Sequence, residues 1–226
     1  MNIKEFLQRP EIQKLLAEEN LDKIYKMLNG YDRSGLTEFL LSTNIDPLLY
    51  VDKIYDYMYH YLDITTIIIP NHISSIGKGA FERCRNLKSI NIPASVKSIG
   101  DYAFDKCYEI KSISIPNNIT IIGSSVFSAC SRLKSFTIPD SVTSIGDWAF
   151  SYCVDLKNIN IPEGVTSVGD WAFEYCKNLK SIIIPNSVTN IGKEAFNECD
   201  QLKIKCKENS YAHKYAIKNN IKFELI

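Results

Sequence analysis

Three histidines, three methionines and two tryptophans are all that 226 residues hold of these types, and 26 basic side chains are cancelled by 26 acidic ones. Each shortage removes a class of function. A formal net charge of zero gives no overall field to draw the chain onto nucleic acid or an anionic membrane. His60, His72 and His213 are scattered, and none has the paired spacing of a metal ligand. The seven cysteines include no C-x-x-C, which argues against a metal site, and a regular one-per-repeat ladder pairs awkwardly as disulfides. No apolar run nears the roughly 20 residues of a membrane-spanning helix; the longest, around "IIIP", reads as a strand. The N-terminal "MNIKEFLQRPEIQKLL" lacks the basic and apolar regions of an export signal, so the expected location is cytoplasmic. There is no G-x-x-x-x-G-K-[ST] and no nucleophile–base–orienter pattern, so the chain reads as a non-enzyme that needs no cofactor.

What the sequence has in abundance is itself. Prolines fall at 70, 93, 116, 139, 162 and 185, a period of 23 residues. Glycines (77 to 192), phenylalanines (81 to 196) and cysteines (84 to 199) keep the same period through six tandem copies of L-K-S-I-x-I-P-x-S-V-x-x-I-G-x-x-A-F-x-x-C-x-x. In the second copy, Leu87 to Pro93 alternates apolar and polar, which predicts a short strand with Ile90 and Ile92 inward. Pro93 lacks an N–H and ends the ladder. Val96 and Ile99 return across the core, and Gly100 turns the chain where a side chain would block a tight turn or close packing. Asp101, Asp147 and Asp170 follow their glycines as expected caps of a short helical turn, with Ala103, Phe104 and Cys107 on its inward face. One copy cannot bury these positions alone. Stacked copies can, so the expected fold is an α/β solenoid with a continuous parallel sheet, roughly 30 Å long at the usual strand spacing.

The motif IPxSVxxIGxxAFxxC at this period resembles the BspA-like leucine-rich repeat family over about residues 64–206. The resemblance implies a leucine-rich right-handed superhelix. It also implies, as an alternative to the cytoplasmic reading, a cell-surface protein that binds host proteins.

Three segments are expected: a helical N-terminal cap or adaptor domain over 1–62, six repeats over 63–206, and a C-terminal cap over 207–226. The first carries 7 basic and 10 acidic residues, the remainder 19 and 16. Pro10 suits the first turn of a helix. A further helix, "NLDKIYKML", takes Asn20 as cap and Gly30 as stop, and another covers "LTEFLLS". The longest expected helix is "DPLLYVDKIYDYMYHYL", capped by Asp46, with Leu48, Val51, Tyr55, Met58 and Leu62 in one stripe. Its tyrosines either cover the first repeat or offer an adaptor or dimer surface. At the other end, a strand, a Ser210-capped helix over 211–218 and the strand "IKFELI" form the expected cap.

The repeat cysteines are each the last apolar position of a unit and read as small buried hydrophobes. His72 reads as an exposed loop residue. Two surfaces remain as candidates. The residue before each Ala-Phe pair is Gly79, Tyr102, Ser125, Trp148, Trp171 or Glu194, a mixture that implies exposure. Trp148 and Trp171, with Tyr102 and with Tyr152 and Tyr175 just before two cysteines, form an aromatic patch suited to a protein or a glycan. The competing reading is ring stacking between repeats without a ligand. The second surface is a lysine row, Lys88, Lys111, Lys134, Lys157, Lys180 and Lys203. It is either a solvated flank that discourages edge pairing or a polyanion track. Nucleic acid is disfavoured, because the neighbouring strand positions are small and polar rather than aromatic. The sequence therefore points to non-catalytic protein binding, with a surface adhesin or glycan-recognition module, and then a polyanion binder, as alternatives.

Overall fold

A computed structural model describes residues 3–18, 20–28, 32–43 and 45–226. Four short helices come first: α1 (Ile3–Leu7), α2 (Pro10–Ala17), α3 (Leu21–Met27) and α4 (Asp32–Ser42). Pro10 opens α2, where its missing N–H costs nothing, and the Asn20 side chain accepts the Lys23 N–H at 3.3 Å to cap α3. The expected stop at Gly30 lies outside the described residues. Apolar faces meet around Ile12, Ile24, Tyr25 and Leu36, and the Tyr25 hydroxyl finds Thr37 Oγ1 at 2.7 Å.

The expected fifth helix does not form. Asp46 caps a 3-10 turn of three residues, Pro47–Leu49, and the chain then leaves helical geometry. Residues 51–62 make the first turn of the solenoid. Ile54 bridges Ile76, which bridges Ile99, all in parallel. Tyr59 stacks on Phe81 with ring centroids 5.1 Å apart. Tyr57 and Tyr61 take left-handed φ of 58° and 63°, matching 56° at Gly79 and 61° at Arg83 one turn on. The tyrosines therefore pack in and onto the solenoid.

The repeats stack as parallel turns, with two ladders where one continuous sheet was expected. Strands β1 (Thr66–Ile68) and β2 (Ser89–Asn91) pair with each other; β5 (Asn158–Asn160), β7 (Ser181–Ile183), β9 (Lys203–Cys206) and β10 (Lys222–Leu225) form a four-stranded sheet on the same face. The return segment makes the second ladder, β3 (Ile121–Ile122), β4 (Ser144–Ile145), β6 (Ser167–Val168) and β8 (Asn190–Ile191). Residues 112–115 and 135–138 lie between β2 and β5 and belong to neither. Here Phe136 occupies the column of Ile90, Ile113 and Ile159. Its ring wedges between Phe127 and Phe150 at 4.9 and 5.1 Å.

The core is built around one aromatic column. From Tyr59 it runs through Phe81, Phe104, Phe127, Phe150, Phe173 and Phe196 to Tyr215, with successive centroids 5.1 to 6.0 Å apart. Tyr215 belongs to α5 (Tyr211–Lys218), which Ser210 caps by accepting the His213 N–H at 3.1 Å. Beside the rings runs a column of thiols. Cys107, Cys130, Cys153 and Cys176 each donate to the carbonyl of the phenylalanine one turn back, at 3.1 to 3.3 Å. Burial pushes these thiols well above their ordinary pKa, so they stay neutral and unreactive.

Candidate functional site: two aromatic columns and a lysine row

The A-F-x-x-C segment is a run of overlapping β-turns rather than the expected helical turn, with Glu82 N–H bonding the Gly79 carbonyl between the two whose third residue is left-handed. In those two, Ala80 N–H bonds the Gly77 carbonyl and Cys84 N–H the Phe81 carbonyl, each closing a four-residue turn. Their third residue has positive φ: 52° at Trp148 and at Trp171, 59° at Tyr152 and 58° at Tyr175. This is type II geometry, which favours glycine at that position. The aspartates are not helix caps either. Asp101, Asp147 and Asp170 accept the backbone N–H of Ser124, Asp170 and Lys193 on the following turn, at 2.7 to 2.8 Å. Gly100 is required by close approach rather than by φ: a Cβ there would come within 2.6 Å of Lys78 N.

From Tyr57 to Tyr175 the N–H of each left-handed residue of the solenoid is bonded to a carbonyl of the turn that follows. Trp148 N–H reaches the Asp170 carbonyl and Trp171 N–H that of Lys193, both at 2.9 Å. The side chains project outward in register. Trp148 and Trp171 stack at 4.9 Å and 7°, and Tyr152 and Tyr175 at 4.7 Å and 7°. Trp148 is 39% exposed and Tyr152 45%, while Trp171 and Tyr175 are half-buried. Tyr102 is apart from both stacks, two turns before Trp148, with Lys78 Nζ 5.5 Å over its ring. Ser125 intervenes and is only 6% exposed, so the column is not open in every turn as its composition suggested.

Polar partners absent from the sequence reading hold the far end. Trp171 Nε1 donates to Glu194 Oε2 at 3.0 Å, and Lys193 Nζ lies 5.4 Å over the Trp171 ring. Lys177 Nζ sits 4.5 Å over Tyr175 and bonds Glu198 at 2.5 Å, which raises the lysine pKa. The signal was periodic: Glu194 and Glu198 are the next members of the same two columns. His72 is exposed as expected, yet its Nε2 meets the Leu48 carbonyl at 2.9 Å and ties the 3-10 turn to the first full repeat.

The lysines do form a row. Lys134, Lys157, Lys180 and Lys203 each donate a backbone N–H to the lysine one turn earlier, at 2.9 to 3.4 Å, and all six side chains are exposed.

Two overlapping stretches, residues 52–179 and 130–225, match the BspA-type leucine-rich repeat region in six copies. The chain belongs to the BspA-type leucine-rich repeat family. Among solved structures, this BspA-type chain is similar to a leucine-rich repeat protein from Bacteroides ovatus (38% identity, TM-score 0.61), covering 64% of this chain and 40% of that one. It is also similar to the leucine-rich repeat protein of T. pallidum (27% identity, TM-score 0.64), covering 77% and 79%. The pneumococcal vaccine antigen PcpA shares the fold alone, at 19% identity and a TM-score of 0.56 over 77% of this chain and 44% of its own. No curated protein matches. The BspA-type chain thus spans less than half of the Bacteroides protein's length. No helix among its described residues is long and apolar enough to cross a membrane.

Proposed function

We propose that this BspA-type solenoid is a non-catalytic protein-binding module whose contact surface is the paired columns Trp148/Trp171 and Tyr152/Tyr175. The observation that carries this reading is the outward stack of exposed Trp148 and half-buried Trp171 at left-handed positions. A non-glycine residue there costs on the order of 1–2 kcal/mol, and one stacked pair returns about 0.5–1.5 kcal/mol. Ser125 and Glu194 bear the same left-handed φ, and Gly79 is compatible with the turn as well, so the turn itself does not require a tryptophan. Large, rigid, half-exposed rings are instead the usual anchors of an interface.

Wild type and Trp148→Ser/Trp171→Ser, both immobilised, would be exposed to native lysate and to extracellular-matrix proteins. Serine already stands at the equivalent Ser125 with φ of 55°, so the variant keeps the fold, as circular dichroism would verify. The expected result is a partner retained by wild type and lost from the variant. Equal retention removes the aromatic columns as the contact surface.

A further inference from the structure

We infer that the long-strand face, flanked by the lysine row, is a track for a linear acidic polysaccharide. This inference rests on different residues from the aromatic columns and stands or falls separately.

Lys111, Lys134, Lys157, Lys180 and Lys203 are consecutive in one hydrogen-bonded column, so their Cα atoms follow at roughly the 4.8 Å strand spacing. Like charges so placed repel and cost stability. Among the described residues, the row's ion-paired member is Lys203, whose Nζ is 3.5 Å from Glu224. Of the carboxylates just before the row, Glu109 is taken by Arg132 at 2.6 Å and Asp200 by Lys177 at 3.5 Å, leaving Asp155. Protection against edge pairing does not account for the row. Lys134, Lys157 and Lys180 have a turn on either side, and an edge is guarded at its end. An uncompensated line of charge inside a stack matches a ligand that carries opposite charge at intervals along the same axis.

The floor beside the row narrows the ligand class. Ser112, Ser114, Ser135, Thr137, Asn158 and Asn160 are all exposed and uncharged, and each donates and accepts hydrogen bonds. A cleft of about 470 Å³ opens along the first four of these, where residues 112–115 and 135–138 leave their backbone groups outside any ladder. Nucleic acid would call for exposed rings to stack its bases, but the aromatic here, Phe136, is buried. A hydroxyl-rich chain with regularly spaced carboxylates or sulfates uses both the neutral floor and the cationic flank.

The full chain would be titrated with heparin, with polygalacturonate, with polyglutamate and with neutral dextran across a range of salt. Wild type is expected to bind heparin, polygalacturonate or both, and not dextran. Binding to one alone identifies sulfate or carboxylate as the anion. Lys134→Gln/Lys157→Gln should weaken binding at least ~10-fold at low salt and flatten the log–log salt dependence by about two. That variant should melt no lower than wild type, since neutralising a like-charged row relieves repulsion, so lost binding would not be lost folding. Trp148→Ser/Trp171→Ser should bind as wild type does. The inference is overturned if wild type binds neither acidic chain or if the lysine variant binds equally. It is overturned too if polyglutamate binds more tightly than both saccharides, which would make the ligand an acidic peptide. Loss of saccharide binding in the tryptophan variant would move the site to the aromatic columns.

Discussion

Of fourteen positions at positive φ, two per turn from Tyr57 to Glu198, thirteen hold a residue other than glycine and Gly79 is the exception. As far as Tyr175 the strained N–H of each turn is bonded to the turn that follows, which holds the left-handed geometry in place. A different single-residue constraint operates at His60. Burial, and then the nearby Arg83 charge, hold its imidazole pKa down to about 4. Unfolded histidine takes up a proton near pH 6.5. Between these values the unfolded chain binds a proton that the folded chain refuses, so stability falls with falling pH, by up to about 1.4 kcal/mol per unit. Glu82, 3.8 Å from His60, acts in the opposite sense, because burial raises its carboxyl pKa and the folded chain accepts that proton early. Urea midpoints at pH 7 and 4.5 should therefore fall less for His60→Gln than for wild type, with Glu82 common to both. Parallel declines would refute a role for His60.

At the scale of elements, the interruption between β2 and β5 has a sequence cause in Phe136, one aromatic in a column of isoleucines. Phe136→Ile should let residues 112–115 and 135–138 join the ladder, with slower amide hydrogen exchange there and a stability change of about 1–3 kcal/mol. Unchanged exchange would mean that the opening has another source. The repeats were legible because period, proline and glycine coincide in six copies. The first turn was not. Val51, Ile54, Tyr55, Met58, Tyr59 and Leu62 have the spacing of an amphipathic helix, and so do the inward positions of every repeat, for example Val96, Ile99, Ala103 and Cys107. In the six copies glycine and proline break that ambiguity. Tyr55 stands where they have glycine, and Ile54 lies 22 rather than 23 residues before Ile76, so the search for a strict period passes it over. The aspartates were misread for a related reason. An acid after a glycine suits a helix cap, and a partner one turn away leaves no local trace. The tryptophan and tyrosine stacks, by contrast, follow from the period alone.

Across the whole molecule, each turn touches its neighbours, and stability is a sum of nearest-neighbour interfaces. The helical segment is the terminal neighbour. Tyr25 of α3 stacks on Tyr55 at 5.6 Å, and Arg33 of α4 lies 5.3 Å over the same ring. Deleting residues 1–45 should expose Tyr55 and lower the melting temperature by several degrees. Amide protection should be lost first over 51–62 and last around Phe150. Melting at the wild-type temperature would show the helices to be an independent appendage. The resemblance in sequence and the similarity in structure agree on the stacked architecture. What a solenoid binds depends on which columns carry unusual side chains, and that is written in two or three turns rather than in the consensus.

The column of rings from Tyr59 to Tyr215 has a consequence for how such a chain changes over generations. Each interior phenylalanine meets another phenylalanine above and below, at nearly the same distance. An in-frame duplication of one unit therefore inserts a ring between two rings and leaves every contact of the old chain with an equivalent partner. The segments "IPDSVTSIGDWAFSYC" and "IPEGVTSVGDWAFEYC" are two such interchangeable units, alike at twelve of sixteen positions. Such a step would turn a single outward tryptophan into a stacked pair without a second mutation, enlarging the surface as it lengthens the chain.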